Sequence, residues 1–126
     1  MIETTLPSGI RLKNLIQNYH AEILSREKNN DKFVHLYSIG TYWVAFERSA
    51  CRLNGIFQQC EITLFHIPNH LEYVVMVAVP NDEAETYFRK HLAFRDGYGY
   101  KVLAFTPLLS ENYHQWHEVA VKSVLQ

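Results

Sequence analysis

The sequence predicts an α/β domain, a sheet layered with helices, and three observations carry that reading. Apolar residues at steps of three and four mark helices near both ends of the chain. Short runs rich in Val, Ile, Tyr, Trp and Phe, the strand-forming residues, lie between them. The two kinds of segment follow one another as helix, hairpin, helix, one or two strands, helix, strand, helix, an order that suits helices packed on a sheet.

Pro7-Ser8-Gly9 breaks the start, and Ser8 is placed to cap a helix. From Ile10 to about Lys28, Leu12, Leu15, Ile16, Tyr19, Ile23 and Leu24 form one apolar face. Asn29-Asn30-Asp31 ends that helix. Phe33 to Phe46 then holds two apolar arms separated by Gly40 and Thr41, a tight hairpin or sharp bend. Strand alternation sends Tyr42 and Trp43 to opposite faces, so at least one of the two rings is expected in the core. Arg48 to Gly55 reads as a short helix with Gly55 at its C-terminus. Cys60 to Phe65 is a strand, and His66 to His70 a loop broken by Pro68 and Asn69. Glu72 to Val79 is apolar without alternation, which suits a strand covered on both faces. Asp82 and Glu85 have capping-box spacing at the start of a helix that buries Ala84, Tyr87, Phe88 and Leu92. That helix is expected to stop at Asp96-Gly97-Tyr98-Gly99, where two glycines supply positive φ. Tyr100 to Phe105 is a buried strand closed by Thr106-Pro107. Ser110 caps a last helix that runs to about Leu125 and lines up Tyr113, Trp116, Ala120 and Val124.

Composition bounds the function. The 126 residues are 48% hydrophobic and 20% charged, with a formal net charge of -1. One domain spanning residues 1–126 with a packed core follows, and a strongly basic nucleic-acid binder is excluded, although a local basic patch is not. Cys51 and Cys60 lie in no close cysteine pair, which argues against a disulfide scaffold or a cysteine-rich zinc site. No basic stretch precedes an apolar one at the start, and no apolar run approaches the roughly 20 residues of a membrane span, so the expected location is the cytoplasm, away from membranes.

Chemistry-bearing patterns are sparse. His66 and His70 lie four apart, and His114 and His117 lie three apart beside Glu118. Either pair alone is an incomplete metal site, and surface or half-buried histidines are the expected outcome. Cys51 has no local mark of a nucleophile. No glycine loop cradles phosphate, because Gly97 and Gly99 follow a helix instead of opening one. Arg48 and Arg52, four apart on the short helix, follow the aromatic hairpin directly and are placed to flank a nucleic-acid backbone lying across it.

The segment Gly40-Thr41-Tyr42-Trp43-Val44-Ala45-Phe46, followed by Ala50, is similar to the opening motif of the N-terminal mismatch-recognition domain of the DNA mismatch-repair protein MutS. In that family a helix and an apolar strand lead into Gly-Asp-Phe-Tyr-Glu-x-Phe. A second block agrees in order: Met76, Pro80, Tyr87, then Gly99-Tyr100-Lys101-Val102-Leu103-Ala104. The resemblance covers about residues 10–107 and leaves 108–126 as an extra C-terminal helix. It implies an α/β (α+β) fold with a mixed β-sheet and helices packed around it. It also implies DNA binding through an aromatic wedge at Tyr42, since an inserted ring stacks best at a loosened step. Thr41 stands at the family's Asp and Val44 at its Glu, so the implied binding has no strong mismatch specificity.

The expectation is therefore a stand-alone, non-catalytic module without cofactor or metal. Its partner would be double-stranded DNA, bound weakly and salt-dependently through Tyr42, Thr41, Arg48 and Arg52. The alternative is a protein-interaction or accessory module that kept the fold and lost the DNA site.

Overall fold

A computed structural model describes residues 8–91, 95–97 and 99–126. The elements in chain order are α1 (Ser8–Glu27), β1 (Phe33–Ser38), β2 (Tyr42–Phe46), α2 (Glu47–Ile56), β3 (Glu61–Phe65), β4 (Val74–Pro80), α3 (Asn81–Lys90), β5 (Arg95–Gly97), β6 (Tyr100–Ala104) and α4 (Ser110–Leu125). The fold mixes helices and strands, a sheet layered with helices, as the alternation of segments predicts. No helix among the described residues is long and apolar enough to cross a membrane.

The six strands make one sheet in the order β3-β4-β2-β1-β6-β5. Every pairing is antiparallel, so the mixed sheet implied by the resemblance is not what forms. The reason lies in the connections. β1–β2, β3–β4 and β5–β6 are hairpins, and their links are shorter than the dozen or so residues a parallel crossover needs. The β1–β2 loop holds three residues, Ile39, Gly40 and Thr41, one more than the sequence suggests. Gly40 takes φ 104° there, a conformation that a side chain would strain.

Helices cover both faces of the sheet. On one face Leu12, Leu15, Ile16, Ile23 and Leu24 of α1 pack on Tyr37, Val44, Phe46, Val74, Met76 and Ala78. On the other face Ala50 and Leu53 of α2, Ala84 of α3 and Trp116 of α4 pack on Val34, Leu36, Trp43, Ala45, Val77, Val79 and Leu103. Alternate residues of β2 and β4 enter the two cores, which explains why the β4 run is apolar without a break. Trp43 is 5% exposed and meets Phe88 edge-on, with ring centroids 5.4 Å apart. Arg26 of α1 lies 4.8 Å from the Tyr100 ring centroid and donates to the Tyr37 hydroxyl at 3.1 Å.

Several local expectations are corrected. Tyr19 is 50% exposed, because the covered line of α1 runs through Ile16, His20 and Ile23, one position to its side. Gly55 lies inside the last turn of α2, and Phe57 is the residue that caps it. Asp82 sits within α3, where its carboxylate accepts from the neighbouring Glu83 N–H, and Pro80 takes the cap position without a side-chain bond. Asp96 and Gly97 belong to β5 instead of ending α3, and of that pair of glycines Gly99 takes the positive φ of 73°. Ser110 is the first residue of α4, with Leu109 before it as the cap. Val124 is exposed. The side chain of Ser8 and residue Leu92 lie outside the described residues.

Leu36, fully buried between the β1 neighbours and α2, tests the core reading. Leu36→Ala is expected to lower the unfolding free energy by about 2–5 kcal/mol in chemical denaturation, from lost transfer energy and the cavity left behind. A loss under about 1 kcal/mol would contradict this packing.

Candidate functional site

β2 runs into α2 with no residue between them, at Phe46–Glu47. The chain turns by holding Glu47 at φ 50°. A non-glycine residue in this region costs on the order of 1–3 kcal/mol and persists only where its surroundings fix it. Phe46, at the cap position of α2, has no oxygen to offer the free N–H groups of the first turn. Another helix supplies the missing cap. Glu27, the last residue of α1, accepts from the Ser49 N–H at 2.8 Å and from the Ser49 hydroxyl at 2.6 Å. Its carboxylate thus meets the positive end of the α2 dipole. Asn30 donates to the same carboxylate at 3.2 Å and also bonds the backbone O and N of Phe33. The Ser49 oxygen accepts from the His35 N–H at 2.9 Å. One buried group of three side chains therefore joins α1, α2 and β1. Burial pushes the Glu27 carboxyl up to about 7, against the Ser49 and Asn30 bonds that favour the anion, and the nearby Glu47 charge adds to the rise.

The Glu47 side chain is held as firmly as its backbone. It accepts from the Val75 N–H at 2.9 Å and lies 3.3 Å from His117 Nε2. His117 Nε2 is also 3.1 Å from the Tyr73 carbonyl oxygen. Both neighbours accept, so Nε2 carries the proton. The bond to Glu47 raises the His117 pKa above its ordinary value, and burial opposes it. Tyr113 is buried, and burial together with Glu47 pushes its hydroxyl up. The Arg48 guanidinium lies 4.7 Å from the Tyr113 ring centroid.

These groups line one open cavity of about 800 Å³ at the end of the sheet where β2 stops and β4 begins. The end of α1 contributes Leu24, Glu27 and Lys28, and the start of α2 contributes Glu47 and Arg48. The β3–β4 connection adds His70, Leu71, Glu72 and Tyr73. Leu71 is 99% exposed. Across the opening, α4 presents His114, His117, Val121 and Lys122. A cavity in the size range of small-molecule sites, with apolar walls and a few converging polar groups, is the usual form of such a site.

The four residues singled out in the sequence as a DNA contact are not assembled in one place. Thr41 is exposed at the hairpin tip, and its carbonyl accepts from the Asn81 N–H at 2.9 Å. Tyr42, beside it, is half-buried and packs on the α1 side of the sheet. Val44, at the family Glu position, is fully buried in that core. Arg48 lies past the far end of β2, about 13 Å along the strand at 3.4 Å per residue, in the wall of the cavity. Arg52, one turn on, lies 5.6 Å from the Phe105 ring centroid, and its Nη2 is buried without a hydrogen-bond partner.

The two histidine pairs split differently from their sequence spacing. His70, His114 and His117 line the cavity, whereas His66 is exposed against the Tyr73 ring. Among the described residues no group of three or more His, Cys, Asp or Glu is arranged to hold a metal. Both cysteines are free, and burial pushes the Cys51 thiol up to about 11, away from nucleophilic character. Sequence reasoning missed Glu27 and Glu47 as site residues. Glu27 resembles any polar residue at a helix end. Glu47 carries one faint mark, its position directly after a buried strand.

Compared with protein-family models, with curated proteins and with solved structures, the chain matches none. The likeness to the MutS domain therefore remains a proposal, and the site is argued from its geometry.

The raised Glu27 pKa makes stability depend on pH, with a definite sign. The folded protein holds this proton more tightly than the unfolded chain, so the stabilisation is complete below about 4.5 and is lost as pH rises through about 7. A rise of this size corresponds to on the order of 3 kcal/mol. The stability difference between wild type and Glu27→Gln should shift by that amount against wild type between pH 4.5 and 7.5, measured by urea unfolding. A difference that stays constant with pH would show that Glu27 does not titrate in this window.

Proposed function

We propose that this chain is a small-molecule-binding domain and that the cavity between α1, α2, the β3–β4 connection and α4 is its site. One observation carries the reading: Glu47 is kept at a strained backbone position while its carboxylate is fixed on His117 and Val75 N–H in the cavity wall. Strain of this kind gathers at binding and catalytic sites, where rigid placement of a polar group offsets its cost. Leu24, Tyr73 and Val121 supply the apolar surface that excludes water around a ligand. Small fragments followed by NMR should perturb amides at the end of α1, the start of α2 and the inner face of α4. Val121→Trp, which fills the space, should weaken those fragments at least tenfold and leave the fold intact. Hits scattered over the surface, or unchanged in the filled variant, would remove the basis for this site.

A second reading is DNA binding through the hairpin tip, favoured by the exposure of Thr41 beside a half-buried Tyr42. It rests on the resemblance to the mismatch-recognition domain. The wedge reading expects weak duplex binding that falls with added salt and falls further in Tyr42→Ala, on the order of 1–3 kcal/mol for a lost stacking ring. Titrations of matched and mismatched duplexes at several salt concentrations measure it. Absence of binding at low salt, or equal binding by the variant, would dismiss this reading.

A further inference from the structure

We infer that the cavity takes an oxyanion, a carboxylate or phosphate on a small apolar or aromatic body, held by Arg48 and Lys28. The inference rests on the cavity reading above and names the ligand class. It follows from which charged groups of the cavity already have partners. Glu27 is engaged by Ser49 and Asn30. Glu47 is engaged by His117 and the Val75 N–H. Glu118 pairs with Lys122 at 3.0 Å. The carboxylates that face inward are therefore satisfied, and the remaining one, Glu72, is exposed at the rim.

The cations are in the opposite condition. Lys28 lines the cavity, and its ammonium has no hydrogen bond or ion pair to any described residue. Among the described residues, the Arg48 guanidinium makes one long bond, from Nη2 to the Ser110 hydroxyl at 3.4 Å, and no ion pair. Its guanidinium carbon lies over the Tyr113 ring, 4.7 Å from the centroid, a contact that uses none of its five donors. A planar fork held over a ring, with most donors open, is the arrangement that takes a carboxylate or phosphate through two parallel bonds. His117, whose Nε2 is held at 3.3 Å from the Glu47 carboxylate, adds a fixed imidazole to the same wall. Leu24, Tyr73 and Val121 provide apolar surface for the rest of the ligand.

Three probes that share a phenyl body test the inference: 3-phenylpropionate, phenethyl phosphate and 3-phenylpropanamide, titrated into wild type, Arg48→Met and Lys28→Met with NMR mapping of the bound position. The carboxylate or the phosphate should bind at least tenfold more tightly than the amide, and the stronger of the two identifies the oxyanion. That preference should weaken with added salt and shrink several-fold in each variant, while amide binding persists. Amide binding as tight as that of both anions, or a preference unchanged in both variants, would overturn the oxyanion class and leave the cavity reading standing. If none of the three perturbs the cavity amides, both readings fall together.

Discussion

Glu27 joins the halves of this molecule at the point where their requirements conflict. α2 begins directly after a strand, and its cap position is taken by Phe46, whose ring is needed in the core. The Ser49 N–H in the first turn must still be satisfied, because Ser49 is fully buried. A carboxylate from the end of α1 meets that need through Ser49. The same bonds dock α1 on its face of the sheet, and Ser49 passes the connection to β1 through the His35 N–H. Removing the Glu27 carboxylate would leave buried donors unpaired on α2 and, through Ser49, loosen β1, a far larger effect than losing one surface ion pair.

The cavity is a consequence of that joint. With α1 fixed by its last turn and α4 fixed by His117 on Glu47, the two helices stand apart at the end of the sheet. Glu27 and Glu47 both line the cavity at the β2–α2 junction, and each uses a backbone N–H as a partner, Ser49 in one case and Val75 in the other. The Glu47 charge is part of the rise at Glu27, after burial. The polar side chains of this region are thus mutually positioned, and the cations beside them are left open to solvent and ligand.

Much of the fold was legible in the sequence. The unbroken apolar run of β4 signalled a strand buried on both faces, and the alternation in β2 placed Trp43 and Tyr42 on opposite sides. The misread details were caps. Asp82 and Ser110 have the right chemistry for capping but lie one or two residues inside their helices. The true cap of α2 comes from a residue 22 positions earlier than its target, and no local pattern announces a bond between Glu27 and Ser49. The same limit applies to the site. Arg48 and Arg52 follow the aromatic hairpin closely in sequence, yet β2 carries the chain to the opposite end of the sheet before they appear. Proximity along the chain suggested one surface, and strand geometry separated it into two. The histidines of α4 were visible as a pair, but Glu47, the partner of His117, acquires its role only through the turn at φ 50°.

Native-state hydrogen exchange of the Ser49 amide, compared between wild type and Glu27→Ala, tests the central claim most directly. If Glu27 caps α2 across the fold, the Ser49 amide and the first turn of α2 lose at least tenfold protection in the variant while amides of β4 keep theirs. Protection of Ser49 that is unchanged in Glu27→Ala would contradict the claim that α2, and the cavity built on it, depend on this carboxylate.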